Sequence, residues 1–401
     1  MHKNAYITFY GDYSSHIRIG NGFSFARKFI NGDDFFFRLN RGFPETLKLK
    51  QKLKSYKNIF CSITFDEELR SVEPIINEKW ILGGPLCCHA DLSHLNCQKQ
   101  LGCFESFQDS PVSNDFQNYW KNSIPTDKEW HYTCSLGQGC YWNKCEFCEY
   151  KYYEKVQYER NDFKKIFSSL KGRRGNFYDH VHLCSSAIGP KIIKDVITSI
   201  LENKLFQQKI IITMMVRPDP GIIKAIQEFD NLKGITFCLG LEAFCQPVLD
   251  IVNKGAKIES GLKFAEEAAK RKAIVCLSLM DHYGFLTHKM ADESIEIISQ
   301  FKKLPVYRRI KQEGVFAFNN GITYWPDERF VSQFAKKTET INQGNRKHWI
   351  NVIDPGSEAW EANKRISFAL ENNLRMMGCS FKTLDEQWSL KQREKFLLKL
   401  K

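Results

Sequence analysis

Apolar residues along this chain repeat in two rhythms. From residue 131 onward, short aliphatic and β-branched runs alternate with longer stretches in which apolar residues recur at i, i+3, i+4 and i+7. The runs His131–Leu136, Val181–Ser185, Ile210–Val216, Ile235–Leu239, Ala273–Met280 and Val315–Phe318 read as strands. Between them, Ile193, Val196, Ile197, Ile200 and Leu201 stripe one helix, and Ile258, Leu262, Ala265 and Ala269 stripe another. Six strand–helix units in succession predict a partial (β/α)6 barrel, whose chemistry sits at the carboxyl ends of its strands.

Ahead of the barrel, Ala5–Tyr10, Ile59–Thr64 and Trp80–Gly84 read as strands separated by helix-compatible segments. That alternation predicts parallel βαβ units and a doubly wound, Rossmann-like sheet. Ligands of such sheets lie beyond the carboxyl ends of the strands, where Gly83–Gly84–Pro85 lets a backbone approach closely. Asp109–Ser110–Pro111 and Pro125 mark an extended connection. The expected fold class is therefore α/β, with a Rossmann-like domain over residues 1–110, a linker over 111–130, the barrel over 131–318 and an extension over 319–401 that closes its mouth. Within the extension, Asn320–Pro326 reads as an aromatic-lined turn facing substrate, and Glu358 to Met377 as a helix.

Composition sets the class. At 401 residues, with 43% hydrophobic and 26% charged positions, the chain has the balance of a large soluble globular protein. No run of about 18 apolar residues is present, and the opening MHKNAYITFYGDY carries no apolar signal segment. The expectation is a cytoplasmic protein without a membrane partner. Its 14 cysteines, spread over so long a chain, read as reduced thiols. The net charge of +12 is dispersed, densest at Lys171–Arg174 and from Lys391 to Lys401. It fits a solvated surface, or a field that favours an acidic peptide or RNA.

One stretch departs from this background. In CSLGQGCYWNKCEFCEY, residues 134–150, the thiols of Cys140, Cys145 and Cys148 follow one another closely behind Gly137 and Gly139. Three such thiolates can hold an iron–sulfur cluster and leave one iron without a protein ligand. A structural zinc knuckle is the alternative, with Cys134 or His131 as its fourth ligand. A second group, Cys87, Cys88, Cys97 and Cys103 with His89 and His94, has metal-ligand chemistry at irregular spacing. Buried small hydrophobes would look the same.

The loop resembles the cluster loop of the radical S-adenosylmethionine (radical SAM) superfamily, with Phe147 just before the last cysteine and four residues between the first two. GLEAFCQPVLDIVNKG, residues 240–255, resembles the superfamily's fourth-strand segment; VRPD, 216–219, resembles the end of its third strand, and HYGFLTHK, 282–289, the turn after its fifth. The resemblance implies a 4Fe-4S cluster on Cys140, Cys145 and Cys148 that binds S-adenosyl-L-methionine and, once reduced, cleaves it to methionine and a 5′-deoxyadenosyl radical. It further implies that Phe147 packs near the adenine, that Ser185 and Ser186 meet the SAM amino group, that Arg217 neighbours the SAM carboxylate or ribose, and that Glu242 lies beside the bound SAM. The reductant would be of flavodoxin or ferredoxin type.

The segment CSITFDEELRSVEPIINEKWILGGP resembles the cobalamin-binding domain of one branch of the superfamily, although Asp12, His16 and Gly20 lack the spacing of a cobalt-ligating motif. Cobalamin is thus expected without histidine ligation, or the fold is kept without it. This branch implies C-methylation or epimerisation of a ribosomally made peptide. An epimerase needs a thiol hydrogen donor, for which Cys184, Cys245, Cys276 and Cys379 are candidates. RNA modification by the same chemistry, and a non-catalytic zinc protein, are the two other readings.

Overall fold

In the computed structural model, the described residues are 3–12, 16–19, 32–39, 43–63, 66–83, 87, 92–99, 129–135, 137–138, 140–148, 158–159, 164, 167–168, 170, 178–184, 187–280, 283–303, 316–319, 338–343, 346–351, 356–373 and 376–377. The protein is α/β, with a Rossmann-like N-terminal sheet and a second parallel sheet. The N-terminal strands are β1 (Asn4–Asp12), β2 (His16–Ile19), β3 (Asp33–Arg38), β4 (Asn58–Ser62), β5 (Trp80–Gly83) and β6 (Gln98–Lys99). Strand β1 lies between β3 and β4, all parallel, and β5 and β6 extend the sheet. Helices α1 (Phe43–Leu53) and α2 (Asp66–Val72) connect successive strands, as parallel pairing requires. Leu49, Leu53, Leu69 and Val72 are buried with Ile7, Ile59, Leu82 and Trp80 in one core.

The second sheet runs β7 (Glu129–Ser135), β10 (Asp179–Cys184), β11 (Ile210–Val216), β12 (Ile235–Glu242), β13 (Ile274–Leu279) and β14 (Phe316–Asn319), every pair parallel. These are the six strands expected, with β11 matched end to end. Two short strands, β8 (Gly137–Gln138) and β9 (Tyr158–Glu159), form a separate antiparallel pair. Helices α3 (Ile193–Glu202), α4 (Pro220–Gln227), α5 (Gln246–Ile251), α6 (Ile258–Lys270) and α7 (His288–Lys303) fill the crossovers. The sheets are joined: β2 is antiparallel to β1 and parallel to β7, so one ladder runs through both.

The apolar stripes do what their spacing predicts, with one exception. Ile193, Val196, Ile197 and Ile200 of α3 are buried, but Leu201 is 37% exposed and Ser199 takes its place. On α6, Phe264 meets Phe237 of β12 edge to face at 5.3 Å, a contact that contributes about 0.5–1.5 kcal/mol beyond the area it buries. Gly261, one turn earlier, lies where a Cβ would be 2.5 Å from Leu241 Cδ1, so α6 sits close against β12. The extension contributes the hairpin β15 (Thr338–Gln343) and β16 (Arg346–Asn351), the helix α8 (Glu358–Asn373) and β17 (Met376–Met377), which pairs with β14. Helix α8 ends at Asn373, short of the Met377 expected, because Met376 and Met377 join the sheet. It packs on α7, and its Asn363 donates to the carbonyls of Tyr283 and Ala359.

Among the described residues, no helix is long and apolar enough to cross a membrane. Residues 84–86, 88–91, 100–128, 171–177, 320–337 and 378–401 lie outside the described residues. They carry most of the expected linker, the dense basic spots, the aromatic turn Asn320–Pro326 and Cys379.

Candidate active site

The carboxyl ends of β7, β11 and β12 bring the expected residues together. Strand β7 delivers the loop that holds Cys140, Cys145 and Cys148, and three attachments to the rest of the fold and one hydrogen bond within the loop hold it in place. Cys140 makes an isolated parallel bridge to Ala187, just past β10. Glu146 N–H donates to Val252 O at 2.9 Å, and Cys148 N–H donates to Cys145 O at 3.2 Å. Trp142 Nε1 donates to Asn253 O at 3.1 Å. Cys140 and Cys145 are buried and Cys148 half-buried.

Trp142 fits because residue 255 is glycine. Gly255 has φ +61°, and a Cβ there would stand 1.8 Å from Trp142 Cζ2. Alanine at 255 is expected to cost about 1–2 kcal/mol from the left-handed backbone alone, and to force the indole off Asn253. Urea unfolding of Gly255→Ala should show that loss, and adding Trp142→Ala should recover part of it. Equal midpoints for wild type and Gly255→Ala would refute the contact.

The turn after β11 is built by its sequence. Pro218 keeps Arg217 extended, Pro220 takes the first position of α4, and Asp219 Oδ1 accepts from Gly221 N–H at 2.7 Å as the N-cap. Arg217, 5% exposed, is thereby turned toward the cysteine loop. Its Nη1 donates to Cys145 Sγ at 3.4 Å, its Nη2 donates to Lys254 O, and its guanidinium lies 4.9 Å from the Trp142 ring and 6.0 Å from that of Tyr141.

At the end of β12 the ladder shifts register between Gly240 and Glu242, and Glu242 adopts φ +70°. Few non-glycine residues enter that region. Lys254 Nζ donates to Glu242 Oε1 at 2.7 Å, with both side chains less than 10% exposed. The pair occupies space that only glycine leaves free at 240, where a Cβ would stand 2.9 Å from Glu242 Oε1 and 3.0 Å from Lys254 Nζ. Lys254 Nζ also lies 5.6 Å from the Phe147 ring, which packs beside Val248, Val252 and Tyr283. Burial pushes the Cys145 thiol up, and the charges of Lys254 and Arg217 oppose that shift.

Of the expected site residues, Cys145, Phe147, Arg217 and Glu242 are thus joined through Lys254 and Arg217, with Cys140 and Cys148 on the same loop as Cys145, whereas Ser185 and Ser186 lie outside the described residues. So does His282 of the turn after β13, while its Tyr283 and Leu286 are buried beneath α8. Sequence reasoning missed Lys254, Trp142 and Asn253. The signal for Lys254 was its place beside Gly255 at the end of the segment GLEAFCQPVLDIVNKG.

The other cysteines are less uniform than expected. Cys245 is buried at the start of α5, its thiol pushed up to about 11 by burial. Cys276 faces Cys238 across the β12–β13 ladder. A hydrogen bond between the two sulfurs lowers the Cys238 thiol and raises that of Cys276. Only the backbone of Cys184 is described. In the second group, Cys87 Sγ donates to Gly83 O at 3.3 Å and His94 lies 3.0 Å from Glu73 Oε1, whereas Cys88, His89 and Cys103 lie outside the described residues.

The donor set fits an iron–sulfur cluster. Three thiols stand on one tethered loop, one of them already receiving a cationic hydrogen bond, which suits thiolate ligation. Asn143 Oδ1, on the same loop, is buried without a hydrogen-bond partner among the described residues. A bound group satisfies such an atom. Among the described residues, no group of three His, Cys, Asp or Glu side chains could hold a single metal ion. Cluster ligands bind different irons and need not converge on one point.

No family model matches the sequence, and no curated protein matches it. Solved structures do match. The radical S-adenosylmethionine methyltransferase TsrM from Kitasatospora setae, with tryptophan substrate and a SAM analog bound, superposes with a TM-score of 0.58 at 10% identity, over 92% of this chain and 90% of that one. TsrM with cobalamin and a [4Fe-4S] cluster bound gives 0.53 at 10% identity, over 92% and 93%. The cobalamin-dependent S-adenosylmethionine radical enzyme OxsB, with aqua-cobalamin bound, gives 0.53 at 11% identity over 76% of this chain. The chain spans about half of OxsB, 53% of its length. Over most of its length, this protein has the fold of the cobalamin-dependent radical SAM enzymes.

Proposed function

We propose that this protein is a radical SAM enzyme that modifies an unactivated carbon, on a ribosomally made peptide, by C-methylation or epimerisation. The observation that carries the reading is the convergence of the cysteine loop, Arg217 and the buried Glu242–Lys254 pair at the carboxyl ends of β7, β11 and β12. Cys140, Cys145 and Cys148 would hold a 4Fe-4S cluster, which supplies the electron that cleaves SAM when a flavodoxin- or ferredoxin-type partner reduces it.

The remaining work belongs to the chain. Lys254 holds one oxygen of Glu242, and the other takes no hydrogen bond from the described residues, so it can accept from a cationic or hydroxyl group of SAM. Phe147 offers a ring face at the same place, already turned toward Lys254. The close packing around Gly240 and Gly255 fixes these groups, which serves orientation. For cobalamin, the N-terminal sheet offers the carboxyl edge of β4 and β5, where Ser62, Ile63 and Gly83 present no imidazole. Cobalamin bound there would have no histidine ligand from these positions. The domain division at residues 110, 130 and 318 is part of the same proposal.

The test is anaerobic purification and reconstitution with iron and sulfide, followed by iron, zinc and cobalt analysis and incubation with reductant and SAM. The expected result is a brown protein with about four irons per chain that converts SAM to 5′-deoxyadenosine or to a demethylated product. A colourless protein loaded with zinc would overturn the reading.

A further inference from the structure

The buried charges at this site do not balance, and the imbalance points to a role for Arg217 other than contact with SAM. Lys254 and Glu242 neutralise each other across 2.7 Å. Arg217 is equally buried, and its side chain is a guanidinium cation. Among the described residues, no carboxylate lies within ion-pair distance of it, and the nearby Asp219 uses Oδ1 to cap α4. An uncompensated buried cation is costly, so such groups find an anion or a metal-bound ligand. The group that Arg217 Nη1 addresses is Cys145 Sγ, at 3.4 Å.

The rest of the side chain is fixed so that this contact holds. Nη2 is spent on Lys254 O, and the plane of the guanidinium rests near Trp142, itself locked over Gly255. A residue held by its far nitrogen and its face has little freedom to follow a ligand that comes and goes.

We propose that Arg217 is a positioning residue for the cluster: its guanidinium is the counter-charge of the Cys145 thiolate, and its N–H···S hydrogen bond raises the reduction potential of the cluster. The proposal rests on the reading of Cys145 as an iron ligand. Its physical basis is general, since positive charge and hydrogen bonds at ligand sulfurs favour the reduced, more negative state of an iron–sulfur centre.

The experiment is an EPR-monitored redox titration of the reconstituted full-length protein, wild type beside Arg217→Gln and Arg217→Lys, with SAM affinity measured on the same samples. Arg217→Gln removes the charge; Arg217→Lys keeps it and serves should the glutamine variant not fold. The expected result for Arg217→Gln is a lower potential, a shift of about tenfold or more in the oxidised-to-reduced ratio at fixed poise, which is about 59 mV for a one-electron couple. Arg217→Lys should fall between it and wild type, and SAM affinity should change by less than about threefold, well short of a full charged hydrogen bond.

An unchanged potential in both variants, with SAM affinity lowered tenfold or more, would overturn the proposal and return Arg217 to SAM. Failure of the wild type itself to take up iron would remove the reading on which the proposal stands, and shows before any variant is compared.

Discussion

Replacing Lys254 with methionine is expected to destabilise the protein by about 3–5 kcal/mol, the usual cost of removing one partner of a buried ion pair. Both side chains are less than 10% exposed and 2.7 Å apart, so the carboxylate of Glu242 would be left without its charge partner and out of water. Methionine fills most of the same volume, which separates loss of charge from loss of packing. The double variant Glu242→Gln, Lys254→Met should recover most of the loss, because it removes both charges. Urea unfolding of wild type and the two variants, with the slope m monitored for changes in cooperativity, checks this. A single variant within 1 kcal/mol of wild type would sink the idea that the pair is structurally required.

The second large effect is expected from Cys145→Ala. Iron content after reconstitution should fall to background and SAM turnover by more than about a hundredfold, beyond what loss of a supporting outer-shell partner costs. The fold should survive, because alanine fits the space. Arg217 Nη1 would lose its sulfur partner, and the expected cost of a buried donor so orphaned is about 1–3 kcal/mol. Circular dichroism and urea unfolding of the apo-protein measure that cost apart from the cluster. Wild-type iron content in the variant would mean that other groups hold the metal.

Sequence patterning predicted the centre of the barrel well because strands such as β11 and β13 are nearly continuous apolar runs. Ile210–Val216 needs no context to read as a strand, and Ile274–Leu279 scarcely more. The N-terminal sheet was less visible. Asp33–Arg38 has three phenylalanines, good strand formers, but they follow two aspartates and show no alternation, so the strand beside β1 is hard to read. His16–Ile19 is short and half polar, and only its pairing with both β1 and β7 makes it structural.

At the site, the cysteines and Glu242 could be read by resemblance, but their supports could not. Lys254 and Glu242 stand twelve positions apart, and what unites them is the register shift in β12 together with the helix α5 between them. The link between Arg217 and Cys145 spans 72 positions and depends on the turn that Pro218 and Asp219 build. Local periodicity carries no information about either contact.

The ladder shared by β2 and β7 also sets an order of assembly for the nascent chain. Synthesis delivers β1 to β5 before Glu129 exists, so the Rossmann-like sheet can form while the barrel strands are still untranslated. Until then, β2 stands on the outer side of β1 with a free row of N–H and C=O groups, a template for any passing strand. Strand β7 covers that edge, β10 covers the edge of β7, and each later strand seals the one before it as far as β14. A chain truncated ahead of Glu129 would therefore leave the β2 edge uncovered and open to pairing with its own copies, and translation of β7 ends that hazard.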